Sequence, residues 1–356
     1  MRYQRNNMTV VFRVDASRWI GSGHVMRCLV LAEILSERGW NVQFACIPQE
    51  GDLITLIEQK GYAVIRLCPP LVSQPPRFDG DYESWLHRSE HEDAIDFIEK
   101  VTPQTWVVVD HYSLGHQWER AVCEGINCQL LVIDDLNRQH ESDVILDQNL
   151  WPDMGSRYIA CQSKKLLGPK YALLRPRFRE LKYSPPQKRN QVIAFFGGAD
   201  LTQECQKLQD AAMRISSLPF QLKIVTGRQN KGYEALLKIE KPEWIEVVQY
   251  LDDFELELAK SKYAIGASGV SNWERFCLDI PSTIVSVADN QRTLSQYLYQ
   301  QGFVSYLGSG EHTTPETYIN ELMRIKENWQ TIAQCNHVEV DGEGAQRVVN
   351  VMESFR

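Results

Sequence analysis

The chain is short of what several protein classes need. Basic side chains are in deficit: 38 Lys and Arg stand against 46 Asp and Glu, a net charge of −8 over 356 residues. Surfaces that bind nucleic acid or anionic membranes carry a basic face instead. A local pocket can still be positive, so an anionic small molecule remains compatible with this charge. No stretch approaches the ~18 uninterrupted apolar residues of a membrane span, and the opening MRYQRNNMTVVF has no long apolar run before a small-residue cleavage site. The expectation is a cytoplasmic chain, neither secreted nor membrane-bound. The nine cysteines form no C-x-x-C and no zinc-finger spacing with histidine; most lie in apolar surroundings and read as small core residues in a reducing compartment. Walker A, H-E-x-x-H and G-x-S-x-G are all absent. Metal sites are poorly supported. His87 and His91 lack an acid or cysteine to complete a set, and Asp134-Asp135 reads equally as half a Mg²⁺ site or a turn. No metal and no cofactor are expected.

What is present is ordinary globular material, 43% hydrophobic and 24% charged, and at ~100–200 residues per domain the length favours two domains. Strand-like apolar runs alternate with helical periodicity along the whole chain. VVFRV (10–14) is followed by a helix over 25–39, then NVQFACI, a helix near 52–60, YAVIRL, a helix near 88–100, WVVVD (106–110), QLLVIDD and DVILDQ. Residues 68–82 read as a loop. The alternation pauses at 175–190, where paired prolines and a charge run make 182–190 the linker candidate. It resumes with QVIAFFGG (191–198) and continues through YAIGAS, a helix over 271–278, PSTIVSV and a helix over 290–300. This predicts α/β architecture: two doubly wound, Rossmann-like domains facing across a cleft, at 8–180 and 191–330. A helical segment over 331–356 is expected to pack back on the first domain. Ligands of such sheets sit beyond the carboxyl ends of the strands, so the strand-to-helix loops are the candidate sites.

The first such loop is RVDASRWIGSGHVMRCL (13–29). Gly21 and Gly23 precede a helix beginning near His24, where bare amides suit an anion. A tight turn with a capping histidine is the plainer alternative. A third glycine at the dinucleotide-fingerprint position is missing, because Met26 occupies it. Histidine, with an ordinary pKa of about 6.5, suits a general base at neutral pH, and Asp15 at the strand end is expected to orient it. Arg13 joins the substrate-binding candidates. Asp110-His111-Tyr112 closes the fourth strand, and Tyr112 is a catalytic candidate. In the second half, Gly197, Gly198 and Asp200 follow a strand. The stretch GASGVSNWERF offers Ser268, Gly269, Ser271 and Trp273 at a helix start suited to a diphosphate. It also offers Glu274, which is either a helix-capping residue or an acceptor for two ribose hydroxyls. VADNQ adds Asn290 and Gln291.

FRVDAS…IGSGHVMRCLVLA, VVDHY, FFGGAD, NWE and ADNQ, in this order and spacing, resemble the UDP-2,4-diacetamido-2,4,6-trideoxy-β-L-altropyranose hydrolases of pseudaminic acid biosynthesis, over roughly residues 8–305. The D-G-x-G-A stretch from Asp341 to Ala345 resembles them more weakly. The resemblance implies a GT-B-like fold and release of UDP by water attack at the anomeric carbon, with inversion and without metal. It implies His24 as the catalytic base and Tyr112 near the reacting sugar. Glu274 would hold the uridine ribose, and Asn290 and Gln291 would lie beside the diphosphate. The loop before Trp273-Glu274 departs from the family in having fewer glycine and hydroxyl residues. A monomer acting on a UDP-sugar is expected, with no nucleic-acid or membrane partner. The alternative is a GT-B glycosyltransferase with a UDP-amino sugar donor.

Overall fold

A computed structural model of the chain describes residues 8–70, 74–78, 80–184, 189–333 and 338–355. Residues 185–188 of the expected linker, and Cys335, lie outside them. The chain forms two compact units. One runs to Leu173 and takes the chain up again from Glu343; the other is Leu174–Gly342.

The first unit is built on seven strands: β1 (Thr9–Val14), β2 (Asn41–Cys46), β3 (Ala63–Arg66), β4 (Trp106–Asp110), β5 (Gln129–Ile133), β6 (Val144–Asp147) and β7 (Lys164–Leu167). All pair parallel, in the order β3-β2-β1-β4-β5-β6-β7. Between them run α1 (Gly23–Glu37), α2 (Ile54–Gln59), a 3₁₀ turn (Tyr82–Trp85), α3 (Glu90–Lys100) and α4 (His116–Ile126). Central parallel strands are buried on both faces, which is why β1 and β4 read as near-continuous apolar runs. Side-chain alternation divides β1 between two cores. Val10, Phe12 and Val14 pack with α1, whereas Val11 packs with Phe97 of α3 and Trp118 of α4.

The second unit carries β8 (Gln191–Phe195), β9 (Gln221–Thr226), β10 (Ile245–Gln249), β11 (Ser261–Ala267), β12 (Ser282–Ser286) and β13 (Ser305–Ser309), again all parallel, in the order β10-β9-β8-β11-β12-β13. Its helices are α5 (Pro176–Lys182), α6 (Glu204–Ala212), α7 (Tyr233–Lys238), α8 (Phe254–Ala259), α9 (Val270–Cys277), α10 (Arg292–Gln300) and α11 (Pro315–Asn328). The last helix, α12 (Gly344–Glu353), belongs to the first unit, where Ala345, Val348, Val349 and Met352 join the core of α1.

Several details differ from the sequence reading. The units part at Leu173/Leu174 rather than within 182–190, because α5 packs on α8 and α9 of the second unit. The edge strands β7 and β13 are additional. Their side chains are mostly half-buried or exposed, so they lack the apolar runs that mark central strands. Not every cysteine is core: Cys68 is exposed and Cys123 and Cys128 are half-buried, and all eight described cysteines are free thiols. His87 precedes α3 with a positive φ of 55°, so it shares no helix face with His91. Among the described residues, no helix is long and apolar enough to cross a membrane, and no group of three His, Cys, Asp or Glu is placed to hold a metal.

Candidate active site

In the first sheet the strand order reverses between β1 and β4, and in the second between β8 and β11. Open α/β sheets bind ligands beyond the strand ends at such switch points. Most of the sequence-derived candidates fall at these two places.

At the first switch point, Ser17 Oγ accepts from the amides of Trp19 (3.2 Å) and Ile20 (3.1 Å), and the Gly21 amide donates to Ser17 O (2.8 Å). This compact turn delivers the chain into α1, which opens at the exposed Gly23. First-turn amides have no acceptor within their own helix and face outward from it. His24 follows, only 8% exposed. Its Nδ1 lies 2.6 Å from Asp110 Oδ1. A carboxylate can only accept, so Nδ1 donates in this contact. Arg27, one helical turn on, donates to both oxygens of Asp110, Nε to Oδ2 and Nη2 to Oδ1, each at 2.5 Å. Burial pushes the Asp110 carboxyl up, but Arg27 and His24 outweigh it and hold it below the usual carboxylate range. An imidazole oriented through Nδ1 by an ionised acid is an arrangement suited to a general base.

Tyr112 lies beside this pair, its ring edge-on to His24 with centroids 4.7 Å apart. Its hydroxyl donates to Asp135 Oδ1 (2.6 Å), whose Oδ2 accepts from Asn149 Nδ2 (3.1 Å). Burial, and then the Asp135 charge, push the Tyr112 phenol well up, so it stays protonated. Asp134 is engaged separately with Arg138 (2.7 Å) and His140 (3.4 Å), so the two adjacent acids serve different networks.

Two expectations are corrected here. Asp15 does not orient His24. It sits on the opposite face of the sheet, pairing with Arg13 Nη1 (2.8 Å) and His111 Nε2 (3.3 Å) and accepting from the Ile47 amide (2.7 Å). Alternation explains this: Arg13 and Asp15 share parity with Val11, on the α3 and α4 side, whereas Val14 faces α1. Arg13, fully buried, is clamped between Asp15 and Asp93 and offers nothing to a ligand. The sequence places Asp110 at the end of the fourth strand without giving it a role and does not single out Arg27, for which the i, i+3 spacing from His24 on one helix face is the available signal.

At the second switch point the loop after β8 is drawn tight. A Cβ on Gly227 would fall 2.1 Å from Gly198 O, so the turns after β8 and β9 touch backbone to backbone. Gly197 takes a φ of 92° in this turn. Asp200 accepts from the amides of Glu204 (2.8 Å) and Cys205 (3.0 Å). It caps α6, and its carboxylate is spent on that task rather than on a ligand. Gly269, at φ 103°, makes the turn into α9 that a side chain would strain. Ser268 is 5% exposed, and its Oγ accepts from Asn272 Nδ2 (3.0 Å). Asn272 in turn accepts from Arg275 (2.7 Å), which also donates to Ala267 O (2.8 Å). Ser268 therefore braces the turn. Trp273 is fully buried and packs on Phe276, a core residue rather than a ligand contact. Ser271 and Glu274 stay half-buried on the side of α9 that the core leaves open. Burial pushes the Glu274 carboxyl up, against Arg175, Arg275 and Ser271. Gln291 accepts from the Val287 amide (2.9 Å) through Oε1, and its Nε2 lies 3.8 Å from where a Gly269 side chain would begin. The VADNQ and SGVSN turns are thus neighbours, with Asn290 half-buried beside them.

No family model matches the chain. It is 24% identical over 304 residues to the UDP-2,4-diacetamido-2,4,6-trideoxy-beta-L-altropyranose hydrolase of Campylobacter jejuni, covering 83% of this chain and 98% of that protein. It is 25% identical over 222 residues to the spore coat polysaccharide biosynthesis protein SpsG of Bacillus subtilis, covering 60% of this chain and 65% of that protein. Among solved structures, MurG of Acinetobacter baumannii superposes with a TM-score of 0.62 at 14% identity, covering 98% of this chain and 99% of that one. The calicheamicin glycosyltransferase CalG4 superposes with a TM-score of 0.65 at 13% identity, covering 98% of each chain. The chain is similar in sequence to the hydrolase and has a two-domain α/β fold of the GT-B type.

Proposed function

We propose that the protein hydrolyses a UDP-activated amino sugar, releasing UDP, with His24 as the general base. The observation that carries this reading is the His24–Asp110 contact of 2.6 Å at the β1/β4 switch point, in a chain similar over nearly the whole length of a UDP-sugar hydrolase. A water molecule attacks the anomeric carbon and His24 Nε2 takes its proton. The new C1–OH bond forms as the C1–O bond to the diphosphate breaks, and UDP leaves with that electron pair. Asp110 stabilises the imidazolium, which returns its proton to solvent. Tyr112, held by Asp135, keeps the imidazole in place from the side. Water attack opposite the leaving group inverts the anomeric centre. UDP is an anionic leaving group whose charge needs stabilising more than its oxygen needs a proton, and amides at helix starts such as Gly269–Ser271 are suited to that. Glu274 has two oxygens for the ribose hydroxyls.

The sugar is proposed to be the 2,4-diacetamido-2,4,6-trideoxy-β-L-altropyranose of the Campylobacter relative, within nonulosonate synthesis. A second reading, a glycosyltransferase with a UDP-amino sugar donor, is favoured by the likeness to CalG4 over 98% of the chain. Release of UDP in the absence of any acceptor separates the two: the hydrolase turns over freely, and a strict transferase is silent.

A further inference from the structure

The 3₁₀ turn Tyr82–Trp85, which begins where the loop expected over 68–82 ends, brings the ring of Trp85 to His24 and the ring of Tyr82 against Trp85. Trp85 lies with its ring 5.9 Å from the imidazole and nearly perpendicular to it (79°). It stacks on Tyr112 at 5.5 Å and 24°. Tyr82 stands edge-on to both, 4.9 Å from Trp85 and 5.0 Å from Tyr112. The turn is firmly seated. Leu86, 1% exposed, drives into the core beside Val109 and Trp118. Ser113 Oγ donates to Tyr82 O, and Asp81, 3% exposed, accepts from Arg77 Nε (2.8 Å) and from its amide (2.9 Å). Trp85 and Tyr82 themselves remain half-buried, while His24 and Tyr112 are buried beneath them.

An aromatic group fixed by its surroundings and left partly open next to a general base is more than core packing. Its faces are apolar and its position is set, so a ring of C–H groups or a methyl gains contact there and a hydroxyl loses water without a partner. We infer that Trp85, backed by Tyr82, is a specificity-determining wall of the pocket served by His24. It selects pyranoses that present methyl, N-acetyl or C–H surface over fully hydroxylated ones. The inference rests on the UDP-sugar reading above.

The test is calorimetric binding of UDP, UDP-glucose and UDP-2,4-diacetamido-2,4,6-trideoxy-β-L-altropyranose, made in a His24→Asn background so that turnover does not intrude. Trp85→Ala is expected to weaken the diacetamido sugar nucleotide by about tenfold, the scale on which an apolar pocket discriminates one small group. UDP affinity should stay within twofold, and Trp85→Phe should restore most of the loss. Trp85→Leu keeps apolar bulk without the ring; it should shift affinity in the same direction by less, and it serves if the alanine variant fails to fold. Equal weakening of UDP and its sugar, or unchanged preference between the two sugar nucleotides, overturns the inference. Failure of the parent to bind UDP at all instead overturns the underlying UDP-sugar reading.

Discussion

His24 and Asp110 form a unit in which each residue sets the state of the other. Asp110 orients the imidazole through Nδ1, and His24 and Arg27 keep Asp110 ionised. His24→Asn should lower UDP release by about 10²–10⁴-fold, the usual worth of a general base, with UDP affinity retained. Steady-state kinetics alongside UDP titration reads both. Asp110→Asn should be worse for the protein as a whole. It leaves the buried Arg27 charge without its counter-ion, a loss on the order of 3–5 kcal/mol, visible as a lower urea midpoint. Unchanged stability in that variant would mean that Arg27 finds another partner. At this scale the sequence was legible for residue type and opaque for partner. His24, Tyr112 and Glu274 stand out because polar groups at strand ends or helix starts are visible in a linear string. That Asp110 rather than Asp15 meets His24 depends on which face of the sheet α1 covers. The alternation of Val10, Phe12 and Val14 carries that fact only once α1 is known to pack on them.

At the scale of elements, the alternation of strands and helices was readable because central parallel strands must be apolar on both faces. The short edge strands and α5 carry weaker signals, since the first are half-exposed and the second lies within the charged stretch that runs into the paired prolines. The turns into the helices show why small residues recur at the candidate site. Gly227, for one, stands where the Gly198 backbone comes too close for a side chain. Gly269 is different, because its φ of 103° sets the direction of α9. Gly269→Ala is expected to cost about 1–3 kcal/mol and to weaken UDP binding, measurable by thermal melts and calorimetry. The loop joining β5 to β6 should leave a pH signature. His140 donates toward Glu119 (2.7 Å) and Asp134 (3.4 Å). Burial opposes its charge, but these acids outweigh burial and raise it to about 9. A pKa raised on folding stabilises the folded state fully below the unfolded value of about 6.5. That stabilisation is lost as the pH rises through about 9. The melting temperature should fall between pH 7 and 9.5, and His140→Gln should flatten that fall. A variant that keeps the full slope would assign it to other groups.

Over the whole molecule, the chain leaves the first unit at Leu173 and comes back at Glu343, so the fold closes through α12. Met352 and Val349 fill the core beside α1, on the helix that bears His24. Met352→Ala should cost about 2–5 kcal/mol and lower the urea midpoint without changing UDP affinity. The net charge of −8 bears on binding too. A diphosphate on an acidic protein is best held by local amides and helix starts rather than by a broad basic field, a task the proposed function gives to Gly269–Ser271. The proposed function meets its most direct test in a proton NMR time course of the purified protein with UDP-2,4-diacetamido-2,4,6-trideoxy-β-L-altropyranose and no acceptor. The expected result is stoichiometric free sugar and UDP, with the α anomer appearing first and then mutarotating. An unchanged spectrum, or UDP formed only when an acceptor sugar is added, would contradict hydrolysis and favour transfer.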